Sequence, residues 1–306
     1  MIMKPTTNIT IGISAYNEEA NIGHLLSDLL RQKQTRFTIT KIVVVSDGSA
    51  DDTVKVIKNF KSNLIECVNF RKRQGKAFCL DRVIAKTNSQ VLVLLDADIM
   101  VSDDDFISKL VKPLLYAKAD LTSAAIEEIS PTTLVQGVLK ASMKLKKDIF
   151  SSYRSGNNIY TCHGRAMALS RRLYKSLKFK NIIADDAFSY LDCKFRNYKY
   201  QFVPEAVLFY KLPLSLIDHQ KQSLRFYQSQ MQKELLGKYD KDFIKSEYYL
   251  PPVLILKSVL KCVVIDPAIL VYLAIAAVLK IRSLFSKKFV GIWEVAASSK
   301  NLRRYV

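Results

Sequence analysis

Val91-Leu92-Val93-Leu94-Leu95-Asp96-Ala97-Asp98 is the stretch on which the reading of this chain turns. Five apolar residues in a row have the length of a buried strand, and a helical pattern follows from Asp104 to Ala117. The same alternation occurs three times upstream. Ile9-Thr10-Ile11-Gly12-Ile13 precedes a helix-like run from Glu18 to Gln32, and Lys41-Ile42-Val43-Val44-Val45 precedes Asp51 to Phe60. Leu64 to Phe70 precedes Lys76 to Lys86. β-Branched runs with helices between them form βαβ units, so the fold class is α/β with a mainly parallel sheet. Functional groups are then expected just past the C-terminal ends of the strands.

Composition sets the outer bounds. The chain has 306 residues, of which 49% are hydrophobic and 25% charged, which excludes a disordered or collagen-like polymer and leaves ample core. Basic residues outnumber acidic ones by 47 to 28, a net charge of +19. Up to Ser170 the count is 23 basic and 17 acidic, so most of the excess sits in the second half. Such a charge favours an acidic partner: a phosphate-bearing substrate, an anionic membrane surface or nucleic acid. The cysteines (67, 79, 162, 193 and 262) are odd in number and form no CxxC, which indicates neither a disulfide framework nor a zinc ribbon and fits a reducing compartment. Ile9 to Ala15 is strand-length and runs into polar Asn17-Glu18-Glu19, so no signal peptide is expected.

Carboxylates gather at the strand ends. Helix capping accounts for Asp51, Asp52, Asp103 and Asp104, which open helical patterns. It suits Asp96 and Asp98 less well, because apolar Ile99-Met100-Val101 follows them. Two carboxylates one residue apart can aim oxygen ligands at Mg²⁺ or Mn²⁺, which also holds phosphate oxygens. Asp185-Asp186 opens an apparent helix, Ala187 to Arg196, that leads into a strand at Tyr200 to Pro204. Capping and catalysis are both open for that pair. Gln222 and Arg225 share one helix face, a pattern that solvation alone also explains.

The combination is more specific than its parts. Ala15-Tyr16-Asn17-Glu18-Glu19, Ser46-Asp47-Gly48-Ser49-Ala50-Asp51-Asp52-Thr53, Gly75-Lys76, Asp96-Ala97-Asp98, Asp185-Asp186 and Gln222-x-x-Arg225-Phe226 occur in this order. Over residues 8 to 230 the chain resembles family 2 glycosyltransferases of the GT-A fold. The last two motifs resemble the Thr-Glu-Asp and Gln-x-x-Arg-Trp motifs of the processive cellulose-, chitin- and hyaluronan-synthase-like branch. The resemblance implies an inverting transfer from a UDP-sugar to a glycan or lipid-linked acceptor, assisted by Mn²⁺ or Mg²⁺. It implies donor contacts at Ala15, Tyr16, Glu18, Asp47, Lys76, Asp96, Gln222 and Arg225, with Tyr16 against the base and Asp47 accepting from a uracil nitrogen. It implies Asp98 as metal ligand, Asp186 as general base, and Gly164, Asp185 and Phe226 on the acceptor side. Residues 1–235 would form the catalytic domain, with a nucleotide half to about 100 and an acceptor half from 101, and 236–306 a helical, membrane-associated region.

The chain departs from the family pattern at four places. Asp185 stands for the usual Glu, Phe226 for Trp, Ser46 for a common Asp and Ser14 for a frequent Pro. These leave the nucleotide pocket intact and weaken assignment to a processive synthase. Tyr160 to Leu169 resembles the strand and loop facing the acceptor. His163 beside Cys162 cannot complete a metal site, and neither His24 nor His219 is given a role.

Residues 251–285 are the most apolar part of the chain. Pro252 to Ile265 carries Lys257 and Lys261 one turn apart, Asp266-Pro267 makes a break, and Ala268 to Leu279 has only twelve uninterrupted apolar residues. That is short of the roughly 18–20 needed to span. A single span would also leave Lys280, Arg282, Lys287, Lys288, Arg303 and Arg304 on the far side from a cytosolic active site. A hairpin or interfacial pair on the cytoplasmic face is expected, with a buried soluble pair as the alternative. Ser130 to Phe150 reads as an interfacial helix or as a solvated basic face. Two rivals stand against a glycosyltransferase. A nucleotidyltransferase gives no place to Asp186 and Gln222-Arg225. A nucleic-acid-binding protein is supported by charge but has no binding motif or aromatic platform, so no nucleic-acid partner is expected.

Overall fold

The computed structural model describes residues 7–230, 232, 237–284 and 302. The side chain of Arg225, the expected boundary at 235/236, and Lys287, Lys288, Arg303 and Arg304 lie outside the described residues. The strands are β1 (Thr7–Ala15), β2 (Phe37–Asp47), β3 (Ile65–Phe70), β4 (Val91–Asp96), β5 (Met100–Val101), β6 (Leu121–Glu128), β7 (Ala166–Ser170) and β8 (Tyr200–Tyr210). The first helices are α1 (Ile22–Leu30), α2 (Thr53–Lys58), α3 (Lys76–Ala85), α4 (Phe106–Leu115), α5 (Leu134–Ser152) and α6 (Arg171–Tyr174). They are followed by α7 (Asp185–Phe195), α8 (Leu216–Gln230), α9 (Lys241–Tyr248), α10 (Pro252–Ile265) and α11 (Ala268–Leu284).

The strands form one sheet in the order β3-β2-β1-β4-β7-β6-β8-β5. β3, β2, β1 and β4 are parallel neighbours, and β6 pairs in parallel with β8. Antiparallel β7 joins β4 to β6, and β5 pairs antiparallel with β8. Alternation along the strands divides the core between the two faces. Ile42, Val44, Val93 and Leu95 pack in one buried cluster, while Val43, Val45, Leu92 and Leu94 pack in another. The parallel order also brings Ala15, Asp47 and Asp96 to one edge of the sheet, since Ala15 is level with Ser46 and Ser14 with Asp96.

Local chemistry moves several expected boundaries. α1 starts at Ile22 instead of Glu18, because residues 17–19 are committed to the loop before α2. The amides of Asn17, Glu18 and Glu19 donate to Ser49 Oγ (3.1 Å), Thr53 Oγ1 (2.7 Å) and Asp51 Oδ2 (3.1 Å). Return bonds run from Ala50 N to Asn17 Oδ1 (2.9 Å) and from Asp52 N to Glu19 Oε2 (2.9 Å). The expected caps shift as well. Asp52 holds the N-cap position of α2 and Asp105 that of α4, neither with a side-chain capping bond. Asp51 and Asp103 instead accept from the amides of Thr53 and Asp105 two residues on. β8 passes the expected end at Pro204: the register jumps from Ala124–Val203 to Ala125–Val207, so Pro204, which has no N–H to donate, sits in a bulge.

The C-terminal helices build a third cluster against α5. Ala141, Leu145 and Ile149 of α5 meet Cys262 of α10 and Ile269 of α11. The expected apolar face of α5 is therefore covered by protein over most of its length, with Leu134 at its tip 91% exposed. α11 continues past Leu279 to Leu284. The stretch Lys241–Ile265 is long and apolar enough, by length and composition, to cross a membrane. Extended backbone at Tyr249 and Pro251 interrupts it. The outward side of α10 and α11 carries exposed Val253, Leu256, Leu260, Val264, Ile265, Leu270, Val271, Val278 and Ile281, so the pair is not buried in the manner of a soluble core.

Candidate active site

Asp47, the last residue of β2, is buried, and both its oxygens are held by the turn entering α3. Gln74 N donates to Oδ1 (2.6 Å) and Gly75 N to Oδ2 (2.8 Å). The turn demands glycine at 48: φ is +70°, and a Cβ would lie 2.8 Å from Arg73 N. Arg73 lies 4.1 Å over the ring of Tyr16, so one face of the expected base-stacking tyrosine already carries a guanidinium. Ala15 is buried at the end of β1. Glu18 is buried too: its amide bond to Thr53 Oγ1 builds it into the clamp between the first two loops, and its carboxylate accepts from Asn21 Nδ2 (2.8 Å) within its own loop.

Lys76 opens α3 and reaches across the sheet edge. Its Nζ pairs with Asp96 Oδ1 (2.7 Å) and Asp185 Oδ2 (3.0 Å) and donates to the carbonyl of Gly164 (3.3 Å). One cation thus ties the end of β4, the start of α7 and the loop before β7. The residues between Asp96 and Asp98 direct this arrangement: Ala97 and Ile99 turn into the core and leave both carboxylates outward.

The two members of the second acidic pair differ. α7 begins at Asp185 with Ala184 in the cap position, so neither carboxylate is a conventional N-cap. Asp185 is buried, and burial raises its carboxyl above the usual range against the pull of Lys76, with Asp186 and Asp96 adding to the rise. Asp186 is only half-buried. Its Oδ2 accepts from Gly164 N (3.2 Å) and its Oδ1 from Ala187 N (2.8 Å). Gly164 packs closely against the pair, and a Cβ there would stand 3.0 Å from Asp185 Oδ2, so the carboxylate would have to shift by a few tenths of an ångström.

Arg165 is a member of the site that sequence reasoning missed. Its guanidinium stands 3.6 Å from Asp98 Oδ1 and 4.1 Å over the ring of Tyr210. The sequence signalled it only as part of the segment Tyr160 to Leu169, beside Gly164. His163 lies beside it; burial pushes its imidazole down to about 4, against the pull of Asp186, so the ring is neutral at neutral pH. α8 packs along α11, with His219 against Tyr272 (6.1 Å) and Arg282 Nη1 donating to Gln220 Oε1 (3.2 Å). Gln222 is half-buried and Phe226 exposed, both on α8.

Among the described residues no three His, Cys, Asp or Glu side chains cluster as a complete metal site. Asp96 and Asp98 fit a hard divalent cation as a partial set, because oxygen ligands suit Mg²⁺ and Mn²⁺ and diphosphate oxygens and water ordinarily fill the rest. The arrangement offers carboxylates, a lysine and an arginine at one sheet edge, which is suited to a group with a diphosphate and a reacting hydroxyl.

A mixed, mainly parallel sheet with this strand order and helices on both faces is the GT-A fold of nucleotide-sugar-dependent glycosyltransferases. Residues 10–178 match the profile of glycosyl transferase family 2, and the chain belongs to that family and is a glycosyltransferase. A stretch of 97 residues is 30% identical to a poly-β-1,6-N-acetyl-D-glucosamine synthase of Staphylococcus epidermidis. The same length is 32% identical to the enzyme of that name from Staphylococcus aureus. Each match covers 31% of this chain and only 23% of the relative. Among solved structures, the mannosyltransferase PcManGT of Pyrobaculum calidifontis, in complex with GDP-Man and Mn²⁺, superposes with a TM-score of 0.63 at 18% identity, over 90% of this chain and 81% of that one. Glucosyl-3-phosphoglycerate synthase of Mycobacterium tuberculosis, with Mn²⁺, UDP and phosphoglyceric acid, gives 0.55 at 20% identity over 77% and 80%.

Proposed function

We propose that this glycosyltransferase moves a sugar from a UDP-linked donor to a hydroxyl of a glycan or lipid-linked acceptor, with inversion, at the cytoplasmic face of a membrane. The observation that carries the reading is Lys76 held between Asp96 and Asp185, with accessible Asp186 beside them on the Gly164 amide. Asp47, Tyr16 and Ala15 line the base end of the donor site, with Glu18 supporting their loop. Lys76, Arg165 and Arg225 would offset charge on the diphosphate as the glycosidic bond breaks, and the Gln222 amide would donate hydrogen bonds to it. Asp96 and Asp98 would hold Mn²⁺ or Mg²⁺, which supplies Lewis-acid stabilisation of the leaving diphosphate.

Asp186 is the base because it is the accessible carboxylate of the pair, whereas Asp185 is buried against Lys76. Two backbone amides fix its rotamer and leave a lone pair on each oxygen. The acceptor oxygen attacks the anomeric carbon, its proton passes to Asp186, and the bond to the diphosphate oxygen breaks with its electron pair. One base and no enzyme nucleophile mean a single displacement. Gly164, Asp185 and Phe226 lie on the acceptor side.

The membrane reading rests on the exposed apolar side of α10 and α11. At 1.5 Å per residue the 14 residues of α10 are about 21 Å long, short of a hydrocarbon core of about 30 Å, which favours lying in the interface. Lys257, Lys261, Lys280 and Arg282, exposed along the same pair, suit anionic headgroups. A panel of UDP- and GDP-sugars, assayed for release of nucleoside diphosphate with and without EDTA, tests the reading. It expects release from a UDP-sugar that EDTA abolishes; release of pyrophosphate would contradict it.

A further inference from the structure

A cavity of about 580 Å³ opens at the far edge of the sheet from the carboxylates, where β6 and β8 begin and β7 ends. The six residues of β4 separate the two edges by about 20 Å at roughly 3.3 Å per residue. Its volume falls within the range of about 300–1,000 Å³ usual for small-ligand sites. Lys118, Lys194 and Lys199 line it; among the described residues no carboxylate does, and none of the three lysines forms an ion pair with a described residue. Asn157, Asn197 and Gln201 supply amides, and the rings of Tyr198 and Phe202 supply apolar faces.

The walls are built, not loose. Asp120 accepts two bonds from Arg172 (2.6 and 2.7 Å) and one from Lys199 N (3.3 Å), and Arg172 lies 4.3 Å over one face of Tyr198. Asn157 Oδ1 accepts from Phe202 N (3.0 Å) and ties the turn after α5 to β8. Two non-glycine residues of the lining, Ser155 and Asn197, hold left-handed backbone at φ 51° and 58°, as does Ala117, next to Lys118 in the chain, at 54°. Amines match an anionic group, amides match hydroxyls, and a ring matches the C–H face of a pyranose.

We propose that this cavity is a second ligand site, separate from the catalytic edge, for a saccharide that carries an anionic group such as a phosphate or a carboxylate. It would hold such a sugar without reacting with it, because it offers no carboxylate to act as base. The full chain is titrated by calorimetry with glucose 6-phosphate, glucuronate, glucose and inorganic phosphate, and hydrogen exchange locates the contact. Both anionic sugars should protect segments 153–158 and 194–202. The K118Q/K194Q/K199Q variant should bind them at least tenfold more weakly with an unchanged melting temperature, since these side chains make no described ion pair. Glucose and phosphate alone should each bind more weakly than glucose 6-phosphate. Protection confined to the Asp96 and Asp185 edge, wild-type affinity in the triple variant, or phosphate binding as tight as the sugar phosphate would each overturn the assignment.

Discussion

Lys76 illustrates how much of the site rests on one side chain. It pairs with two carboxylates from separate elements, so its removal takes from Asp96 and Asp185 the cation that they share. Lys76→Met should cost about 1–3 kcal/mol of stability at neutral pH, the usual cost of leaving one buried polar group unsatisfied, because Asp185 is buried while Lys76 and Asp96 are half-buried. Asp185 already has a raised carboxyl, and losing Lys76 raises it further. The folded form then holds its proton more tightly than the unfolded form, so the cost is present above that raised value and shrinks as pH falls through it. Melting curves at neutral and mildly acidic pH should therefore converge on wild type toward the acid side; a pH-independent loss would refute the coupling. His163 runs the other way. Its imidazole is lowered to about 4, so the unfolded chain binds the proton first and stability falls between roughly pH 6.5 and 4. His163→Gln should flatten the pH dependence of melting in that window.

At the scale of elements, the strands that carry the donor side could be read directly, because Ile, Val and Leu in unbroken runs leave little else for β1, β2 and β4 to be. β6 could not. Leu121-Thr122-Ser123-Ala124-Ala125 has two polar residues among small ones, yet Thr122 Oγ1 donates to the carbonyl of Leu110 (2.8 Å) and Ser123 Oγ to that of Thr161 (2.6 Å). Those partners are tertiary, and no local pattern announces them. The same holds for Lys76 and Gly164, which meet across 88 residues of chain. Asp185 and Asp186 look alike in sequence; only burial and the Lys76 pair separate them. α10 and α11 were legible as apolar and broken, but not as half-covered by α5. Their outward side gives a prediction at this scale: Leu260→Glu with Val264→Glu should weaken binding to anionic vesicles at least tenfold while leaving the melting temperature within a few degrees. Unchanged vesicle binding would remove the membrane reading.

The whole molecule separates its chemistry by sheet edge. Parallel strands and the loops after them put carboxylates, Lys76 and Arg165 at one edge. The cationic cavity lies at the other, and the exposed apolar helices form a third surface. The positive charge is unevenly placed: Lys257, Lys261, Lys280 and Arg282 are exposed on α10 and α11 and Lys118, Lys194 and Lys199 line the distal cavity, whereas carboxylates outnumber cations around Lys76, which is why net charge alone could not choose a partner. The central claim is a single inverting displacement with Asp186 as base, and it concerns the complete enzyme with donor and acceptor present. The most direct test measures sugar transfer, with the anomeric configuration of the product read by NMR, beside UDP affinity in wild type and Asp186→Asn. The account expects an inverted product, transfer lowered by about 10²- to 10⁴-fold in the variant, and UDP affinity unchanged. Near-normal transfer by Asp186→Asn, or a product of retained configuration, would contradict it.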